Sequence, residues 1–215
     1  DPRMPELEAL DRSEAYVAAV REAVGSRCDL LFGTHGQFTA AGAIRLARRL
    51  ERFDPLWFEE PVPPDLPEEM ATVARATTIP IATGERLTTK VEFARVLALG
   101  AARILQPNLG RAGGLLEGKK IASIAEAHYA QIAPHLYCGP VAACSPNFLV
   151  LEGILEWGGF HAQVLKQPIH WEAGYVTVPT SPGLGVELDH DVVAAHPYEG
   201  ADLHLEAHDA PLGYP

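Results

Sequence analysis

Five polar residues recur through the middle of the chain at nearly even intervals. His35, Glu59, Glu85, Asn108 and His135 are separated by 24, 26, 23 and 27 residues, and each closes or follows a short apolar run. Glu152 comes after a further 17. Two carboxylates from neighbouring strands suit Mg2+, a hard cation that prefers oxygen ligands. Such an ion polarises a substrate carboxylate and stabilises the enediolate formed when the adjacent carbon loses a proton. His135, across the opening, is the expected base, with Asn108 holding one of its ring nitrogens. His35 is the expected acid that protonates a leaving hydroxide.

Each of these residues taken singly has a blander explanation. Glu59 in a Glu-Glu-Pro string suits a solvated corner equally well. Glu85 beside Arg86 suits a surface ion pair, and a lone histidine such as His135 is more often structural. Five in register make the stronger signal. His128, His161, His170, His190, His196, His204 and His208 fall outside that register and read as surface or structural residues.

The register follows from the elements. Apolar runs at Cys28–Gly33, Pro55–Glu60, Pro80–Glu85, Ala102–Asn108 and Gln131–His135 predict strands. Between them, helical spacing predicts helices over Thr39–Phe53 with Thr39 as N-cap, from Asp65 or Pro67, over Val91–Leu99 after a Thr88 or Thr89 cap, and over Leu115–Tyr129. Phe148–Ile154 is apolar but of undecided type. Alternating strands and helices predict an α/β fold with a parallel sheet covered on both faces. A (β/α)8 TIM barrel spends roughly 30 residues per unit and gathers its active site at the C-terminal edge of the strands. Residues 1–27 read as a helical lead-in, 28–158 as barrel units carrying the site, and 159–215 as a C-terminal segment with extended stretches at Gly174–Val178 and Leu184–Leu188.

Composition narrows the partners. The 215 residues include 17 basic and 28 acidic ones, a formal net charge of -11. That balance argues against nucleic acid, whose binding rests on neutralising phosphates. It leaves an acidic substrate open, because a metal reverses the potential inside one pocket. Cys28, Cys138 and Cys144 are too few and too irregularly spaced for a disulfide framework, so a cytoplasmic setting is expected. No apolar run reaches the length of a membrane helix, and Asp1–Leu10 lacks the pattern of a signal peptide.

The strings Phe58-Glu59-Glu60-Pro61, Ile81-Ala82-Thr83-Gly84-Glu85-Arg86-Leu87, Leu105-Gln106-Pro107-Asn108 with Gly113-Gly114, and Ala133-Pro134-His135 together resemble the mandelate racemase branch of the enolase superfamily. They are most similar to its galactonate-dehydratase-like acid-sugar dehydratases, from about Cys28 to Leu188. The resemblance implies a Mg2+-dependent hydro-lyase acting on a sugar acid, working as a homo-oligomer. It implies Glu59 and Glu85 as metal ligands, His135 as base, His35 as general acid and Glu152 as the acid of the last strand. Arg86, His35 and Glu152 are the expected contacts to substrate. A racemase, epimerase or cycloisomerase of the same superfamily, or a non-catalytic member, is the alternative.

The chain departs from the pattern in three ways. The first metal-binding acid should stand two residues before His35, where Gly33 offers no side chain. Asp29 lies about 13 Å further back on the same strand. Asn108 replaces the usual aspartate beside the histidine, so it orients the ring without adding charge. No capping domain, first barrel strands or Lys-x-Lys motif precede Cys28. The short interval before Glu152 also suggests missing residues near Gly139–Cys144. The expectation is that this stretch belongs to a longer polypeptide and folds poorly alone.

Overall fold

The computed structural model describes residues 5–136, 139–153 and 159–197. These form two compact units, the first spanning Glu6–Ile154.

The first unit is a run of parallel βα units. Its strands are β1 (Leu31–Gly33), β2 (Trp57–Glu59), β3 (Ile81–Thr83), β4 (Ile104–Leu105) and β5 (Gln131–Ile132), hydrogen-bonded in sequence order into one parallel sheet. Phe148 adds an isolated parallel bridge to Ile132, which is the structure found in the apolar stretch of undecided type. The helices are α1 (Glu6–Val24), α2 (Ala40–Leu50), α3 (Pro67–Ala74), α4 (Lys90–Ala98), the single turn α5 (Leu109–Ala112), α6 (Leu115–Ala127) and the short α7 (Gly139–Ala143). Helix starts follow local chemistry. The Thr39 hydroxyl accepts the Gly42 amide to open α2, Pro67 stands in the first turn of α3, and Thr89 with Glu92 forms a reciprocal capping box on α4. Each such cap is worth about 1 kcal/mol.

Side-chain alternation along the strands sorts residues between two cores. Phe58, Ile81, Leu105 and Ile132 pack outward with buried faces of the helices, including Leu46, Leu50, Phe93 and Ile121. Trp57, Ala82, Ile104 and Ala133 form a smaller inner cluster. The same two-residue period carries Trp57 to Glu59 and Ile104 to Gln106, so both polar side chains belong to the inner face. Glu60 continues the outward row of Phe58. Helix α1, expected as a lead-in, lies against α2. Leu10 is fully buried, and Arg49 binds Asp11 at 2.5 Å and Glu14 at 3.2 Å. Gly139–Ala143, where missing residues were expected, forms α7.

The second unit contains α8 (Phe160–Gln163), an antiparallel pair β6 (Trp171–Glu172) and β7 (Tyr175–Val176), and α9 (His190–Ala195). Leu165 and Leu188 form an antiparallel bridge. Of the extended stretches expected, Gly174–Val178 thus contributes two paired residues and Leu184–Leu188 one. Among the described residues, no helix is long and apolar enough to cross a membrane.

Candidate functional site

Four of the five spaced residues, His35, Glu85, Asn108 and His135, form a connected set of contacts beyond the C-terminal ends of their strands. Glu59 ends β2. Glu85 follows β3 through Gly84, whose φ is +137°. A Cβ at Gly84 would lie 2.6 Å from the Phe93 ring and 3.0 Å from the Gln106 amide nitrogen, so only glycine admits this close passage. His35 has a positive φ of 53° in the turn after β1, and its Nε2 lies 2.8 Å from Glu85 Oε1. His135 approaches the same carboxylate from the other side, with Nε2 3.3 Å from Glu85 Oε2 and 3.7 Å from Glu152 Oε2. Asn108 Nδ2 lies 2.8 Å from His135 Nδ1.

Glu59 lies deeper. Its Oε2 accepts a 2.5 Å hydrogen bond from Gln106 Nε2, a residue whose role was not apparent in the sequence. The signal was there in the two-residue period from Ile104. The Glu59 carboxyl is held above its ordinary value. Burial is the largest cause, the Gln106 hydrogen bond opposes it, and the charges of Glu85, Glu152 and Glu60 add to it. Gln106 Oε1 is buried without a hydrogen-bond partner. The cleft beside them encloses about 300 Å3 and is lined by Leu31, Gly33, Trp57, Glu59, Gln106 and Glu152 among others. Gly33 pairs with Glu59 in the sheet, and a Cβ there would sit 3.4 Å from Glu59 Cβ. A larger cleft, near 550 Å3, is lined by Arg21, Arg27 and Arg52. Arg21 is already bonded to the carbonyls of Phe53, Gly25 and Cys28.

Arg86 is not the partner of Glu85. Its Nε donates to Glu60 Oε2 at 2.8 Å, and Nη2 lies 2.5 Å from the same oxygen, although its angle is too poor for a hydrogen bond. Glu60 is fully buried and also accepts weakly from Thr83 Oγ1 at 3.4 Å. Arg86, expected at the substrate, thus has its charge engaged by Glu60. Among the other histidines, His128 follows α6, and His170, His190 and His196 lie in the second unit. The side chain of His161, together with His204 and His208, lies outside the described residues, as does Cys138. Cys28 and Cys144 are free thiols.

Does this donor set fit a cation? His35, Glu60 and Glu85 bring ligand atoms within 4.8 Å of one another. Glu60 is the poor member, because Arg86 already neutralises it. Glu59 and Glu85 have no arginine partner, although Glu85 faces the imidazoles of His35 and His135, and burial more than neighbouring charge raises the Glu59 carboxyl. Carboxylate oxygens suit a hard divalent ion, and Gly33 contributes no side-chain ligand.

A parallel βα sheet with carboxylates and imidazoles at the C-terminal edge of its strands defines a barrel-type enzyme domain. The comparisons give it a family. Residues 3–192 match the family model described as enolase C-terminal domain-like. The chain is 38% identical over 209 residues to a D-xylonate dehydratase of Haloferax volcanii, covering 94% of this chain and 50% of that protein. It is 41% identical over 197 residues to a D-galactonate dehydratase of Variovorax paradoxus, covering 85% and 52%. Among solved structures, one of mandelate racemase/muconate lactonizing enzyme type from Labrenzia alexandrii shares 63% identity with a TM-score of 0.89, covering 95% of this chain and 55% of that one. The chain belongs to the enolase superfamily, and its described strands are part of that family's (β/α)8 barrel-type C-terminal domain. It spans about half the length of the curated relatives it matches.

Proposed function

We propose that this chain carries the catalytic edge of a Mg2+-dependent acid-sugar dehydratase. The observation that carries the reading is the pair of imidazoles, His35 and His135, bracketing the single carboxylate of Glu85 at 2.8 and 3.3 Å. Dehydration needs acid–base groups to take the α-proton and to protonate the departing 3-hydroxyl, and this edge supplies two imidazoles. Racemisation also moves a proton off and onto the α-carbon, so the choice of dehydration is supported by the dehydratase names of the relatives.

Glu59 and Glu85 would hold the ion, which supplies positive charge against the developing negative charge of the substrate carboxylate. Gln106 steadies Glu59 through its 2.5 Å hydrogen bond. The α-carbon's C–H bond breaks and its proton passes to one imidazole. The C–O bond at the next carbon then breaks as an imidazolium protonates the oxygen, so water leaves and the enol relaxes to a 2-keto-3-deoxy acid. Glu152, half-exposed at the mouth, is placed to hydrogen-bond a substrate hydroxyl or a protonated carboxyl oxygen. Substrate contact by Arg86 would require it to leave Glu60, so His35 and Glu152 are the better candidates. We place the enzyme in the cytoplasm as a homo-oligomer, in keeping with free Cys28 and Cys144.

The test is turnover of five- and six-carbon sugar acids by the full-length protein with Mg2+, read as 2-keto-3-deoxy acid. His35→Asn and His135→Asn should each lower kcat roughly 100-fold or more. Absence of product from every sugar acid, or full activity in either variant, overturns the reading.

A further inference from the structure

The hydrogen bonds around His135 determine where its ring proton sits. Asn108 precedes α5, and its Oδ1 accepts the Arg111 backbone N–H at 3.1 Å. A backbone N–H only donates, so the amide end facing it must be the oxygen. The other end is then Nδ2, which carries hydrogens alone, and it faces His135 Nδ1 at 2.8 Å. Nδ1 must accept. A neutral imidazole has one N–H, and here it falls on Nε2. The far side of the ring is compatible with this. The neighbours of Nε2 are carboxylate oxygens of Glu85 at 3.3 Å and Glu152 at 3.7 Å, which accept when ionised.

We propose that Asn108 is a positioning residue that locks neutral His135 in the Nε2–H tautomer, so that its Nε2 donates a hydrogen bond and cannot take the α-proton. An aspartate at position 108 has no hydrogens to offer. It would accept from Nδ1–H and leave the Nε2 lone pair free to act as a base. Asparagine inverts that polarity, because Nε2 keeps its hydrogen as long as Oδ1 is occupied by the Arg111 N–H. His135, expected from the resemblance as the base, then offers Nε2–H as a hydrogen-bond donor to a substrate oxygen, because a neutral imidazole that lost this proton would become an imidazolate. The α-proton goes to His35, and the imidazolium formed there returns a proton to the departing hydroxyl oxygen as the C–O bond breaks. This assignment of roles rests on the dehydratase reading; the tautomer itself does not.

The decisive variant is Asn108→Asp in the full-length protein. Aspartate caps a helix as well as asparagine, so one oxygen keeps the Arg111 contact while the other faces Nδ1. Nitrogen-15 NMR of labelled histidine at about pH 8, above the ordinary imidazole range, reads the tautomer directly, with His135→Asn identifying the signal. The wild type should show Nε2–H, and Asn108→Asp should show Nδ1–H. With substrate, Asn108→Asp should lower kcat roughly 100-fold with KM little changed, since the donor form is lost. A wild-type His135 carrying its proton on Nδ1, or a kcat that rises in Asn108→Asp, overturns the lock. An Nε2–H signal in a protein that dehydrates no sugar acid overturns the functional reading alone.

Discussion

Glu59 and Glu60 are neighbours in sequence and opposites in circumstance. Glu59 follows Trp57 on the inner face and meets carboxylates, with only the Gln106 amide in support. Glu60 follows Phe58 toward the outer layer and meets the Arg86 guanidinium. Its backbone is bound as firmly: the carbonyl accepts from Gly36 N at 2.7 Å and Thr34 Oγ1 at 3.0 Å, and its φ of 38° is left-handed. Strained backbone of this kind persists where surrounding contacts over-determine it. One carboxylate has an amide for its partner and, in the proposed function, goes to the cation. The other is neutralised and anchors the loops after β1 and β3. In that reading a single strand end separates ion binding from stability.

Four experiments would break or sharpen that contrast. Glu60→Ala leaves Arg86 without its buried counter-ion and should destabilise the fold by about 3–5 kcal/mol, read by urea unfolding. Glu59→Ala should cost far less, and equal losses would erase the distinction. Next, Glu59→Gln and Glu85→Gln should each weaken Mg2+ binding by more than roughly 100-fold by calorimetry, beyond the roughly 10–100-fold that losing an outer partner costs. Should Glu60→Gln remain folded and be the variant that abolishes binding, the ion would belong to the His35–Glu60–Glu85 group instead.

A third effect concerns pH. Glu59 binds its proton more tightly folded than unfolded, so its contribution favours the fold at low pH and is lost as pH rises through the raised value. Glu59→Gln should therefore melt higher than wild type at pH 7 without metal, and the difference should shrink toward pH 4. A lower melting temperature at pH 7 would mean that Gln106 and local hydration already compensate the charge. Last, Thr89→Ala removes a cap remote from both carboxylates. It should cost about 1 kcal/mol and leave Mg2+ affinity unchanged.

Much of this arrangement is legible in the residues. Hydrophobic periodicity located the five strands and four of the helices between them, and Thr39, Pro67 and Thr89 mark helix starts where their chemistry says they should. The even spacing of His35, Glu59, Glu85, Asn108 and His135 anticipated a common edge. Glu85 was expected as a metal ligand and Arg86 as a substrate contact, with an ion pair between them as the blander alternative. The two residues adjoin in sequence while the guanidinium bonds Glu60, 26 residues away. Gln106 was overlooked because an amide beside a proline carries no chemical signature of its own.

The order of elements, the parallel sheet and the types of group available at its edge are written in local pattern, because strand and helix periods and caps act over a few residues. Which carboxylate gains a cationic partner is a matter of three-dimensional neighbours. So is which end of Asn108 faces His135, since the Arg111 amide that settles it enters only when α5 forms. Charge compensation and ring tautomers depend on distances of about 3 Å between segments far apart in the chain, and those exist only in the folded protein.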